Sequence, residues 1–126
     1  MTHPLIDRLL TEFAWPRLDT ADAVAAFTEA PGWHVVFTPG DALRNLETAD
    51  VAVILPELKQ AFQGRFDCAL AGDAVESQLR HDTGVLQTPG LLFYRDGRFV
   101  AGIAKVRDWD DYIRRTAQIL AQPVTA

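Results

Sequence analysis

The chain has 126 residues, of which 48% are hydrophobic and 23% are charged, and its formal net charge at pH 7 is −5. This length suits one domain around one core. The acidic balance disfavours a nucleic-acid partner, because phosphate backbones would be repelled. No apolar run reaches the length of a membrane-spanning helix, and the N-terminus lacks the features of a secretory signal. We therefore expect no membrane insertion and a cytoplasmic location.

Residues 1–32 predict two helices around a short strand. Pro4 suits a first helical position, because a proline lacks the N–H that would have no partner there. Asp19 or Thr20 can cap the second helix through a side-chain oxygen. The expected elements are a helix from Pro4 to before Trp15, a strand near Arg17 and Leu18, and a helix over Ala21–Glu29.

Residues 33–121 predict alternating strands and helices that end in a hairpin and a helix. Asp96-Gly97 between two apolar runs is a strong signal for a two-residue hairpin turn. Asp108, with Asp111 three residues later, is expected to cap the last helix. The remaining elements are a strand over Trp33–Thr38, helices over about 48–62 and 74–81, strands over about 65–71, 91–94 and 98–103, and a helix to about Leu120.

This order of elements predicts the fold class. Strands joined through helices pair in parallel with right-handed crossovers, whereas the final hairpin is antiparallel. We expect an α/β fold, a three-layer α/β/α sandwich with a mixed central sheet, in a single domain over residues 1–126. Residues 122–126 are expected to form a frayed tail. Trp15, Trp33 and Trp109 are expected in the core.

Cys68 is the only cysteine, which excludes an intramolecular disulfide. Along the predicted strand, Phe66, Cys68 and Leu70 share one face. This pattern favours a buried core thiol, and catalysis by Cys68 is the alternative. The three histidines have no metal-ligand spacing, and the sequence contains no glycine-rich phosphate loop. We expect neither a metal nor an organic cofactor.

The second half of the chain resembles the thioredoxin fold. Thr88-Pro89 stands where thioredoxins carry their cis-proline, and residues 91–97 match the strand and turn that follow it. Aligned on the helix over 51–58, the positions of the redox C-x-x-C motif fall on residues 45–48, none of which is a cysteine. The resemblance implies a thioredoxin-like domain without disulfide chemistry.

Four segments are similar to a narrower family, the hydrogenase expression/formation proteins of the HyaE/HupG type. These segments are residues 47–58, 64–66, 95–98 and 106–112. The resemblance implies a non-catalytic chaperone in the maturation of [NiFe] hydrogenases. Its client would be the small-subunit precursor, bound at the twin-arginine signal peptide, and other hydrogenase maturation proteins would be further partners.

Four carboxylates are candidate contacts for the arginine pair of such a peptide. Asp41, Glu47, Asp50 and Glu57 are matched only by Arg44 in this stretch. They could form bidentate hydrogen bonds with guanidinium groups. A structural explanation is open for Glu47 and Asp50, because carboxylates stabilise the start of a helix through its dipole. A bend at Pro56 would turn Glu57 to another side of the molecule.

Thr88 and Pro89 are the remaining candidate peptide-binding residues. In the thioredoxin fold, the residue before the cis-proline offers backbone hydrogen bonds to an extended peptide, a form of strand addition. The alternative is that Pro89 only shapes the turn into the strand. Two other functions stay open: a single-cysteine thiol peroxidase or transferase that uses Cys68, and a scaffold that binds another folded protein.

Overall fold

A computed structural model describes residues 3–41 and 44–122, so the expectation for the tail at 123–126 lies outside the described residues. The fold is α/β, with ten elements in the described residues. In chain order these are α1 (Pro4–Thr11), β1 (Arg17–Leu18), α2 (Ala21–Glu29), β2 (Trp33–Thr38), α3 (Leu46–Ala61), β3 (Phe66–Ala71), α4 (Asp73–Thr83), β4 (Gly90–Arg95), β5 (Arg98–Ala104) and α5 (Trp109–Leu120).

The five strands form one mixed sheet in the order β1-β3-β2-β4-β5. β3 pairs in parallel with both β1 and β2, whereas β4 pairs antiparallel with β2 and with β5. The turn between β4 and β5 is the predicted one, with positive φ angles at both Asp96 (50°) and Gly97 (88°). The mixed sheet that the sequence predicts is confirmed.

Apolar side chains on the two faces of the sheet form two separate cores. One core packs α1, α3 and α5 against the sheet and contains Leu9, Leu55 and Tyr112. The other packs α4 and α2 against the opposite face and is centred on Val36 and Leu92. Because helices cover both faces, the architecture is the expected three-layer α/β/α sandwich. None of the described helices has the length and apolar character needed to cross a membrane.

Two helices extend further than the sequence predicts. α3 begins at Leu46 rather than at 48, because the side chain of Asn45 caps it by accepting the N–H of Glu47 at 3.0 Å. α4 continues to Thr83, where Gly84 ends it in the left-handed conformation (φ 75°).

Two expectations for α5 are wrong. Asp108 occupies the N-cap position, but its side chain makes no capping hydrogen bond. The Asp111 carboxylate instead accepts hydrogen bonds from Arg114 and Arg115. Trp109 is 43% exposed, since the fully buried residues of this helix begin one turn later, at Tyr112. Trp15 and Trp33 are buried as expected.

Candidate functional site

The four positions that align with the redox motif of thioredoxins begin at Asn45, the residue that caps α3. The side-chain amide of Asn45 makes two hydrogen bonds. Its oxygen accepts the N–H of Glu47, and its nitrogen donates to the carbonyl of Thr88 at 3.0 Å. One side chain therefore caps the helix and fastens the loop before Pro89 to it.

Two more of the four motif positions have internal hydrogen bonds. Thr48 is buried, and its hydroxyl donates to the carbonyl of Pro39 at 2.6 Å. Glu47 lies 2.9 Å from the ammonium of Lys105 and accepts the N–H of Val106 at 3.1 Å. The hydrogen bond from Lys105, followed by that from Val106, lowers the pKa of Glu47. Side chains at three of the four motif positions are therefore engaged in hydrogen bonds and an ion pair with the segments around residues 39, 88 and 105.

Exposed leucines lie at the second motif position and in the loop before β4. Leu46 is 84% exposed and follows Asn45, whose side chain is hydrogen-bonded to the Thr88 carbonyl. Leu86 is 62% exposed and precedes Thr88 by two residues. The Thr88–Pro89 peptide bond is cis, Pro89 is buried and Thr88 is half-buried. We call Leu46, Leu86 and Thr88 the apolar rim.

The predicted carboxylates separate into three locations. Asp50 and Glu57 are exposed along α3 and recur at helical spacing with Leu46 and Val53. Glu57 therefore shares the exposed face of Asp50, although Pro56 precedes it. Glu47 is the carboxylate that meets Lys105.

Asp41 lies apart from the α3 face, beside a cavity of about 680 Å³ that Thr88 also lines. Asp41 is exposed and lies 3.4 Å from Arg44. The ends of β2 and β3 form one wall of this cavity, and α1 and α4 form others. The structure thus brings two of the predicted site residues, Asp41 and Thr88, to one cavity.

Glu76 of α4 lines the same cavity and was not among the residues predicted from the sequence. It is only 8% exposed, and its carboxylate accepts the N–H of Gly40. Burial raises the pKa of Glu76, while the hydrogen bond from Gly40 and the charge of Arg80 act in the opposite direction. We call this space the Glu76 cavity.

The Glu76 cavity and the apolar rim meet at Gly40 and Thr88. Gly40 has a φ of 69°, and a Cβ atom there would lie 2.8 Å from the Cβ of Thr88. Only glycine suits this backbone conformation and this close approach. The loop after β2 and the loop before β4 are therefore packed directly on each other, which fixes the position of Thr88.

Cys68 lies away from these features. It is 2% exposed and belongs to the core formed with α1, α3 and α5. Burial raises the pKa of the Cys68 thiol, which disfavours the thiolate needed for nucleophilic chemistry. Within residues 3–41 and 44–122, no group of three or more histidine, cysteine, aspartate or glutamate side chains could hold a metal ion.

Two functional candidates escaped sequence reasoning because their partners are distant in the chain. Glu76 reads as an ordinary first-turn acid of α4, yet it contacts Gly40, 36 residues earlier. Lys105 carries no motif, and its partner Glu47 is in a different half of the chain. The position of Asn45 was identified through the redox motif, but its bond to Thr88 was not predictable from the spacing.

Solved structures with low sequence identity support the fold. Mitochondrial thioredoxin 3 from Saccharomyces cerevisiae superimposes with a TM-score of 0.67 at 11% identity, over 85% of this chain and 94% of that one. The fold is thus thioredoxin-like. A crystal structure of hydrogenase expression/formation protein hupG from Rhodopseudomonas palustris CGA009 has a TM-score of 0.57 at 35% identity, covering 84% of this chain and 95% of that one.

Sequence relatives give the family. Hydrogenase expression/formation protein HupG of Rhodobacter capsulatus is 62% identical over 120 residues, which cover 95% of this chain and 87% of the relative. Hydrogenase expression/formation protein HoxO of Cupriavidus necator is 38% identical over 126 residues, which cover 97% of this chain and 76% of the relative. A family model described as Hydrogenase-1 expression protein HyaE matches residues 5–112. The chain therefore belongs to the HyaE family of hydrogenase expression/formation proteins.

Proposed function

We propose that this protein is a non-catalytic chaperone in [NiFe] hydrogenase maturation that binds the twin-arginine signal peptide of the small-subunit precursor. Membership of the HyaE family supports the role in maturation. Such a peptide has a basic segment followed by an apolar segment, and it is present before export. The proposed site of action is therefore the cytoplasm, and further maturation proteins are proposed partners.

The observation that carries this proposal is the apolar rim. Leu46 and Leu86 are among the most exposed large apolar side chains of the described residues; Leu46 follows Asn45, which is hydrogen-bonded to Thr88, and Leu86 precedes Thr88 by two residues. Exposed apolar side chains that cluster on a surface commonly mark a binding site. The rim is suited to the apolar segment of the peptide, and the backbone of Thr88 is suited to strand addition, with buried Pro89 holding the loop.

Exposed carboxylates on α3 and beside the Glu76 cavity supply charge for the basic segment. Asp50 and Glu57 on α3 and Asp41 beside the Glu76 cavity are exposed acids that arginine side chains can reach. Glu47, at the start of α3, is the fourth proposed contact, and its charge is matched by Lys105.

Burial of Cys68 argues against the single-cysteine enzyme. A thiol that is 2% exposed cannot meet a disulfide or peroxide without local unfolding. The scaffold alternative has one supporting observation, the exposed Trp109 at the start of α5. A peptide-binding chaperone and a scaffold differ in whether the signal segment of the client is required.

The test is the double substitution Leu46→Ser and Leu86→Ser, with Trp109→Ser, at the exposed start of α5 and outside the proposed peptide surface, as the control. All three side chains are exposed, so each variant should keep the melting temperature of the wild type. We expect the rim variant to lose at least tenfold in affinity for the signal peptide and to stop co-purifying with the precursor, while the control binds normally. Equal binding by wild type and rim variant, or co-purification with a precursor that lacks its signal segment, would contradict the proposal.

A further inference from the structure

The Glu76 cavity combines a buried carboxylate with apolar side chains. Neither the hydrogen bond of Glu76 to Gly40 nor a cluster of surface acids would need such apolar lining. Ile6 and Leu10 of α1 and Leu70 of β3 line one side. Glu76 and Asp73 of α4 line another. A ligand that suits both sides has a long apolar stem and a cationic head.

The cavity is lined by three carboxylates, two arginines and His3, and several of these charges are already paired. Arg17 is already paired with Asp19 at 2.9 Å, and Asp41 is paired with Arg44. Arg80 donates to the carbonyl of Leu86 at 3.1 Å rather than to a carboxylate. The charge of Arg80 acts on Glu76, so among the described lining residues the unpaired charges that remain are two carboxylates, Glu76 and Asp73, against one arginine, which favours a cation.

Glu76 and Asp73 lie one helical turn apart on α4. Residues at this spacing have Cβ atoms about 5–6 Å apart, so one ligand can reach both carboxylates. Glu76 uses one oxygen to accept the N–H of Gly40, and it forms no ion pair with a described residue. A carboxylate carries about four acceptor positions, so the second oxygen of Glu76 retains capacity for a donor.

We propose that the Glu76 cavity binds one arginine side chain of the signal peptide, with the Glu76 carboxylate as its anchor. This inference rests on the proposed function, because it names the ligand of the same surface. The planar guanidinium has five N–H donors and can bond to Glu76 and Asp73 together, whereas a lysine ammonium acts as a single point of charge. The methylene stem would pack on Ile6 and Leu10.

The volume and position of the cavity agree with this assignment. At about 680 Å³ it is larger than one arginine side chain, and exposed Asp73 and Asp41 mark its opening to solvent. Thr88 lines the cavity and also belongs to the apolar rim. A peptide with its backbone at Thr88 can therefore place a basic side chain in the cavity and apolar side chains on the rim.

The decisive variant is Glu76→Gln, which keeps an oxygen to accept the N–H of Gly40 but removes the charge. Asp22→Asn, an exposed first-turn acid of α2 outside the cavity, is the matched control for the change in net charge. Calorimetric titration compares a peptide with the arginine pair against a Lys-Lys version. We expect wild type and Asp22→Asn to prefer arginine by about tenfold, and Glu76→Gln to lose both affinity and preference.

Two outcomes separate this inference from the proposed function. If Glu76→Gln binds and discriminates the two peptides as the wild type does, the cavity assignment is overturned while the chaperone proposal stands. A wild type that binds no signal peptide overturns the chaperone proposal.

A small probe tests the cavity even in that case. In NMR spectra, N-acetyl-arginine amide should shift the amide signals of Gly40 and Asp73 in wild type and not in Glu76→Gln, with a weaker effect from N-acetyl-lysine amide. The absence of any such shift in wild type overturns the cavity as a guanidinium site.

Discussion

Substitution of Cys68 separates a structural thiol from a catalytic one. Cys68→Ala removes a sulfur atom from a site that is 2% exposed. Lost transfer free energy and the small cavity together predict a loss of about 1.5 kcal/mol in the free energy of unfolding. Cys68→Ser keeps the volume but buries a hydroxyl group, which costs about 1–3 kcal/mol if it finds no partner.

Three measurements test this prediction. Denaturant unfolding gives the two free energies, and for a domain of this size about 4 °C of melting temperature accompanies each kcal/mol. A thiol reagent such as DTNB should react with the native protein only on the timescale of unfolding, and with one thiol per chain after denaturation. Both variants should bind the signal peptide with wild-type affinity well below their melting temperatures.

The reasoning would be refuted by a native Cys68 that reacts as fast as a free cysteine. It would equally fail if Cys68→Ala stayed folded but lost client binding, because that result would give the thiol a functional role. Turnover of a disulfide or peroxide by the wild type that disappears in Cys68→Ala would establish the enzyme alternative.

Two further predictions concern Glu76 and Asn45. The pKa of Glu76 is raised in the folded state, so stability is greatest below the unfolded pKa of about 4.3 and falls as pH rises through the folded pKa. Glu76→Gln should therefore melt higher than wild type at pH 7, with a difference that shrinks towards pH 4; a constant difference across this range would contradict burial as the cause. Asn45→Ala should cost about 1–2 kcal/mol in urea unfolding, because it removes the α3 cap and the bond to Thr88. Asn45→Asp can still cap α3 but cannot donate to the Thr88 carbonyl, so it should recover only part of that loss; equal losses in the two variants would show that the cap contributes little.

Much of the fold was predictable because its signals are local. Strand β2 and helix α2 have the predicted boundaries, and Asp96-Gly97 forms the predicted turn. The alternation of apolar residues also placed Cys68 on the buried face of β3 with Phe66. Each of these inferences depends on residues within a few positions of one another, where backbone preference and periodicity dominate.

The errors in the fold arose at the start of α5, where the residue type alone does not decide burial or hydrogen-bond partners. Trp109 has a large aromatic side chain of the kind usually found in a core, but its place in the first turn of α5 leaves it 43% exposed. Asp111 has the spacing of a capping residue, but nearby Arg114 and Arg115 bind its carboxylate instead. Helix-capping propensity predicts which hydrogen bond a side chain favours, whereas the partners available in the folded chain decide which hydrogen bond forms.

The chain by itself determined the order of strands and helices and the lack of a second thiol, because both are properties of composition and short-range pattern. Only the tertiary structure decided which polar groups meet: Asn45 with Thr88, Glu47 with Lys105, and Glu76 with Gly40. Those contacts join residues that are 36 to 58 positions apart in the chain, and they form because the packed sheet and helices bring these residues together. The candidate site consists of such contacts and of the cavity and exposed leucines beside them, so its geometry follows from packing rather than from any local motif.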